Sequence, residues 1–161
     1  YKAPFFKVMT SMALRDDLES GESYFIVEIR SLKRILDEAK KKENLLCIID
    51  EVLRGTNTIE RIAASSEILW NICGENVLSF AATHDIELSY ILEDRYTNYH
   101  FEEEVRKEDV VFNYLLKEGR VTTRNAIRLL EMMKYGKKIT EEARKAVEHF
   151  ESAGLWEKIE E

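Results

Sequence analysis

The sequence is poor in residues that punctuate a chain. It has one proline and six glycines in 161 residues. An all-β sandwich needs frequent tight turns, so this composition argues against one. Cysteine is nearly absent too. Cys47 and Cys73 make neither a C-x-x-C pair nor a disulfide framework. Both lie in apolar stretches, which predicts buried free thiols and a cytoplasmic protein. No run approaches the roughly 18 apolar residues of a membrane span, so no membrane partner is expected. A basic excess is also missing. Lys and Arg number 24 against 31 Asp and Glu, a net charge of −7. A chain that grips nucleic acid by its phosphates usually carries the opposite balance, so this one is not expected to read DNA or RNA unaided. The start, Tyr1-Lys2-Ala3-Pro4-Phe5, has no secretory apolar region and no Met, and the expectation is a chain that begins inside a longer protein.

What is present suits a folded domain. Hydrophobic residues make up 45% of the chain, too many for a disordered tail and enough for a real core. Residues 4–9 predict a short strand, and residues 15–23 a polar loop. Phe25, Ile29, Leu32, Ile35, Leu36 and Ala39 recur at helical spacing behind Ser23, a natural N-cap. The run Lys40-Lys41-Lys42 suits the negative end of that helix. Leu45-Leu46-Cys47-Ile48-Ile49 is a continuous apolar run, as in a parallel strand buried on both faces. A helix over 58–73 and a buried strand over 77–82 follow, and Asp85 is placed to cap a short helix through Leu92. Tyr96 to Phe101 and Val110 to Leu116 alternate as outer strands of the same sheet. Beyond Thr122 two helices are expected, with Tyr135-Gly136-Lys137-Lys138 as the turn and Thr140 opening the second. Strands alternating with helices predict an α/β domain with a mainly parallel sheet and helices on both faces. A C-terminal helical hairpin is expected to follow it. No internal repeat is visible.

In open α/β sheets, ligands bind at the carboxyl ends of the strands. The first apolar strand delivers Asp50-Glu51. That fits a Walker B arrangement, in which the Asp holds Mg²⁺ through water and the neighbouring acid orients or deprotonates an attacking water. An acidic strand end facing solvent fits the same residues. The next strand delivers Thr83-His84, where an imidazole could donate to a terminal phosphate or serve structure alone. Ser20-Gly21-Glu22-Ser23 opens a helix whose free N–H groups could bind an anion, or Ser23 simply caps it. Arg54-Gly55-Thr56-Asn57-Thr58 reads as a turn and a cap. One motif is missing. The phosphate-cradling loop G-x-x-x-x-G-K-[ST] does not occur. The only Gly-Lys is Gly136-Lys137, with Glu131 five residues before the glycine and Lys138 after the lysine.

Together these elements resemble the ATPase domain of the MutS family of DNA mismatch-repair proteins. Residues 15–28, Arg-Asp-Asp-Leu-Glu-Ser-Gly-Glu-Ser-Tyr-Phe-Ile-Val-Glu, resemble its "DDL..G.S.F..E" segment. Residues 48–58, Ile-Ile-Asp-Glu-Val-Leu-Arg-Gly-Thr-Asn-Thr, resemble its "DE.GRGT.T" segment. Residues 81–88, Ala-Ala-Thr-His-Asp-Ile-Glu-Leu, resemble its "ATH..EL" segment. Asn98-Tyr99-His100-Phe101 and the later helices fit the family's C-terminal portion. The resemblance covers nearly the whole chain. It implies a partial P-loop NTPase of the ABC type over residues 1–120, lacking its Walker A, and a helical dimerisation region over 121–161. It implies ATP and Mg²⁺ as cofactors, with Asp50 positioning the metal through water. Glu51 would be the catalytic acid and His84 the sensor of the γ-phosphate. Ser23 would reach the nucleotide of a second subunit, and Arg54, Thr56 and Thr58 would line that dimer interface. The full protein would couple ATP hydrolysis to clamping of DNA held by its other domains.

Leu53 stands where many members have glycine, Tyr24 where Thr is usual, and residues 122–127 replace a Ser-Tyr-Gly-like segment. These departures point to a divergent branch. Two rival readings differ in class. One is a non-catalytic dimerisation module with vestigial acids. The other is another ABC-type DNA-repair ATPase, which should carry long coiled-coil heptads, and none occurs in these residues.

Overall fold

A computed structural model describes residues 2–12, 23–105, 110–121 and 125–159. Residues 15–22 of the loop expected over 15–23, with Ser20, Gly21 and Glu22, lie outside the described residues, as do residues 122–124. The chain divides into two compact units, residues 1–98 and 99–161.

The first unit is built on three parallel strands, β1 (Lys7–Ser11), β2 (Leu45–Asp50) and β3 (Val77–Ala82), in the order β1-β2-β3. Val8 pairs with Leu46 and Leu46 with Leu78; Thr10 pairs with Ile48 and Ile48 with Phe80. Helix α1 (Tyr24–Ala39) links β1 to β2, and α2 (Thr58–Ile72) links β2 to β3. Helix α3 (Ile86–Ile91) follows β3. The strand expected over 4–9 forms over 7–11 instead. Its pairing with 45–49 sets its limits, and the ladder begins where Lys7 N–H donates to Asn44 O. Pro4 has no N–H to offer such a ladder.

Side chains alternate across a strand, and here the two faces differ sharply. Leu45, Cys47 and Ile49 are buried against Leu32 and Ile35 of α1, Leu69 and Ile72 of α2, and Leu88 and Leu92. The Tyr96 hydroxyl lies 3.2 Å from the Leu69 carbonyl and from Ser79 Oγ on this same face. Burial pushes the Cys47 thiol up to about 11, so it stays a neutral core group near pH 7. On the other face Val8, Ile48, Leu78 and Phe80 are exposed. Among the described residues, then, the helices cover one face of the sheet and not both, and β2 is buried on one side only.

The second unit contains two short antiparallel ribbons. β4 (Tyr99–His100) pairs with β7 (Lys117–Glu118), and β5 (Glu103–Val105) pairs with β6 (Val110–Phe112). The expected outer strands therefore do not extend the main sheet. They pair with each other instead. β5 and β6 are close enough in the chain for an antiparallel pair and not for a parallel crossover, and β4 and β7 pair antiparallel on either side of them in sequence. Helices α4 (Ala126–Met132) and α5 (Lys137–Ala153) form the expected pair, held by the fork of Arg144 on Glu131. Helix α5 begins three residues before Thr140. Gly136 takes its N-cap position, and Thr140 is a buried residue whose hydroxyl donates to Lys137 O. No helix among the described residues is long and apolar enough to cross a membrane.

The one-sided core has a direct consequence. Ile35→Ala, at a fully buried position, is expected to cost about 2–5 kcal/mol in urea unfolding. Phe80→Ala, on the bare face, should cost below about 1 kcal/mol.

Candidate functional site

The chain leaves β2 through a turn that its own residues disfavour. Glu51 has φ +51° and Leu53 φ +59°, both in the left-handed region that costs a non-glycine residue about 1–2 kcal/mol. Four contacts hold the turn. Glu51 N–H donates to Ala82 O of β3 at 2.9 Å. Leu53 N–H donates to Glu28 Oε1 of α1 at 2.5 Å. Ser65 of α2 donates its hydroxyl to Val52 O at 3.4 Å. The side chains of Val52 and Leu53 are buried in the core. Gly55 then passes so near α1 that an added Cβ would lie 2.9 Å from a Phe25 ring carbon.

This turn gathers four of the sequence-predicted residues. Asp50 ends β2 half-buried. Glu51 is largely enclosed, and its two carboxylate oxygens face two different groups. Oε2 accepts from Arg54 Nε, and Oε1 lies 2.9 Å from His84 Nε2. His84 is carried in by the turn after β3. One cleft beside the acid pair is lined by Ser11, Met12, Tyr24, Glu28, Asp50, Glu51 and Arg54. Another is lined by Glu51, Val52, Arg54, Arg61, Thr83, His84 and Asp85.

The remaining predicted residues, Ser23, Thr56 and Thr58, line neither of these clefts. Ser23 occupies the N-cap position of α1 and accepts Ile26 N–H through its carbonyl, but its side chain makes no cap bond. It lines neither cleft. Asn57 is the N-cap of α2 and accepts Glu60 N–H at 3.0 Å, while the Glu60 carboxylate takes bonds from Asn57 Nδ2 and Thr56 Oγ1. This is the first half of a capping box; the return bond comes from the Asn57 side-chain amide rather than its backbone N–H, with Thr56 drawn in. Thr58 is the exposed first residue of α2.

Three residues of the site were not among the sequence candidates. Glu28 lies at the spacing of the buried stripe, between Phe25 and Leu32, and it is also the closing acid of the segment over residues 15–28, though neither sign gave it a role. Arg61 and Asp85 form a two-armed ion pair, Nε to Oδ2 at 2.7 Å and Nη2 to Oδ1 at 2.6 Å. Asp85 sits at the N-cap of α3 as expected, yet makes no side-chain cap bond. Asp85 holds the guanidinium of Arg61 in its charged form.

Hard carboxylate oxygens at a strand end suit Mg²⁺, which keeps several waters and leans on one or two protein carboxylates plus substrate phosphates. Asp50 fits that pattern. Among the described residues no group of three or more side chains is placed to hold a metal by itself.

Glu28 is only 7% exposed, and its Oε2 has no hydrogen-bond partner. Burial raises its pKa above the ordinary carboxylate range, against the lowering effect of the Leu53 N–H and of Arg54. A raised folded-state value means that the native state binds the proton more tightly than the unfolded chain. Stability from this group therefore falls as pH rises from the unfolded carboxylate range through the raised value, and is level above it. Glu28→Gln keeps an acceptor for Leu53 and removes the titration. Denaturant unfolding from about pH 4 to pH 7 should show the native chain losing stability relative to the variant across that window. A difference that is flat with pH would rule out this effect.

A family model described as MutS domain V matches residues 3–151. The DNA mismatch repair protein MutS of Aquifex pyrophilus is 34% identical over 148 residues, 89% of this chain and 17% of that protein. The protein of Haloarcula marismortui named DNA mismatch repair protein MutS 2 is 31% identical over 150 residues, 91% of this chain and 16% of that protein. MutS of Thermosipho melanesiensis is 37% identical over 121 residues, 71% of this chain and 14% of its own length. The chain thus spans less than a fifth of the length of these curated relatives. With the family model matching almost all of its length and these relatives above 30% identity, the chain belongs to the MutS family.

Proposed function

We propose that this chain is the acid-bearing part of an ABC-type P-loop ATPase in a DNA mismatch-repair protein or a closely related repair protein. The observation that carries the reading is the meeting of Asp50, Glu51, Arg54 and His84 at the carboxyl ends of β2 and β3. The bare apolar face of Val8, Ile48, Leu78 and Phe80 supports it as well. Parallel sheets are normally covered on both faces, so such a face fits a sheet that belongs to a larger domain.

In this reading Asp50 holds Mg²⁺ through water. When bound, the ion neutralises phosphate charge and sets the line of attack. Glu51 orients the attacking water and takes its proton. His84 donates to the terminal phosphate. Both Glu51 oxygens are engaged, one by Arg54 and one by His84. A phosphate entering between these groups offers Arg54 and His84 a second anion and frees a Glu51 oxygen for water. Ser23, at the start of α1, faces the nucleotide of a second subunit in a homodimer. Arg54, Thr56 and Thr58 run along that interface, and residues 121–161 help the two copies embrace. DNA is held by other domains of the full-length protein, which works in the cytoplasm.

Two outcomes follow. In the full-length protein, Glu51→Gln should keep ATP binding and slow hydrolysis by about 100-fold or more, because a positioned base is lost. Unchanged steady-state turnover would remove Glu51 from that role. The 161 residues alone contain no phosphate-cradling loop, so they should bind Mg-ATP weakly and show no turnover in a phosphate-release assay. Robust hydrolysis by the isolated chain would contradict the assignment of the phosphate cradle to another part of the protein.

A further inference from the structure

His84 has the least to hold it of any residue in the site. Its side chain is 94% exposed, yet its Nε2 lies 2.9 Å from Glu51 Oε1. An exposed side chain keeps a fixed aim only if the backbone on both sides of it is fixed. On the near side, Ala82 ends β3 and accepts Glu51 N–H. On the far side, Asp85 accepts both arms of Arg61, with side-chain exposures of 13% and 23%. Asp85 N–H donates back to Thr83 Oγ1 at 3.0 Å, which closes the turn around His84.

Two features indicate that this clamp has a task beyond capping a helix. An aspartate at an N-cap ordinarily accepts a backbone N–H of the first turn. Asp85 makes no such bond and gives both oxygens to Arg61 instead. The pair also spans 24 residues, from the first turn of α2 to the turn after β3. A planar guanidinium meeting both oxygens fixes the plane of the carboxylate, which a single ammonium cannot do.

We propose that Arg61 is a positioning residue for ATP hydrolysis, clamping Asp85 so that His84 is aimed at the reacting phosphate beside Glu51. This rests on the ATPase reading above. Arg61 acts through His84, because its guanidinium is engaged by Asp85.

The test uses the full-length protein and steady-state Mg-ATP hydrolysis. Arg61→Ala and Asp85→Asn should each lower kcat by about ten- to a hundredfold, the usual scale for a displaced catalytic group. KM for Mg-ATP should stay within about threefold. Arg61→Lys should resemble Arg61→Ala. The deciding variant is Arg61→Ala combined with His84→Ala, which should be no slower than His84→Ala alone. Fully additive losses, a rise in KM with kcat intact, or an unchanged kcat would overturn the proposal. Additive losses would instead place the Arg61 guanidinium on the phosphate itself. If Arg61→Ala does not fold, Asp85→Asn, which keeps the size of the side chain, is combined with His84→Ala and read the same way. Glu51→Gln is run in parallel. Absence of Mg-ATP turnover in the unaltered full-length protein sinks the ATPase reading, and turnover that survives Glu51→Gln removes Glu51 as the base, whereas loss with Glu51→Gln but not with Arg61→Ala sinks only the positioning role.

Discussion

The hydrogen bond of 2.5 Å from Leu53 N–H to Glu28 Oε1 ties the turn after β2 to helix α1. Glu51 and Leu53 both take left-handed backbone angles that non-glycine residues avoid. Such angles persist where the surroundings over-determine them, and they gather at functional sites. Here the surroundings are a buried carboxylate on α1, a carbonyl of β3 and the burial of Leu53 itself. Leu53 illustrates the compromise. Glycine would take its φ without strain but could not fill the core beneath the turn. Glu28 carries a cost of its own, since a buried carboxylate with one unpartnered oxygen is disfavoured. Strain and desolvation are thus concentrated within one turn of the acid pair.

Topology does the rest. β2 is the central strand and β3 its neighbour, so the turns that follow them lie side by side. That adjacency brings His84 to Glu51 and lets Glu51 N–H reach Ala82. The chain is acidic overall, yet Arg54, Arg61 and His84 all stand in this corner, each facing a carboxylate. The surplus of negative charge therefore says little about the site, where Glu51 takes both Arg54 and His84 and Asp85 takes Arg61.

Much of the first unit was legible in the sequence. The 3.6-residue spacing of Phe25 to Ala39 marks α1, and the apolar run at 45–49 marks β2, because both patterns record which face meets the core. The differences have specific causes. An apolar run reads the same whether one face or two are buried, so the exposure of Ile48 was hidden. The limits of β1 were set by its partner strand and not by the aromatic residues at 5 and 6. Alternation at 96–101 and 110–116 signals strands but not the sheet they join. Gly136 starts α5 earlier than Thr140 because the buried hydroxyl of Thr140 is satisfied inside the first turn, at Lys137 O.

By itself the sequence determined the family, the order of the elements of the first unit, and the acids and histidine at the strand ends. These properties are local: a motif, a period, a run. Only the tertiary structure decided that Glu28 holds Leu53, 25 residues on, and that Arg61 holds Asp85, 24 residues on. It also decided which face of the sheet is bare. Contacts across such separations depend on which strands are neighbours and how the helices cross them, and no local pattern carries that information.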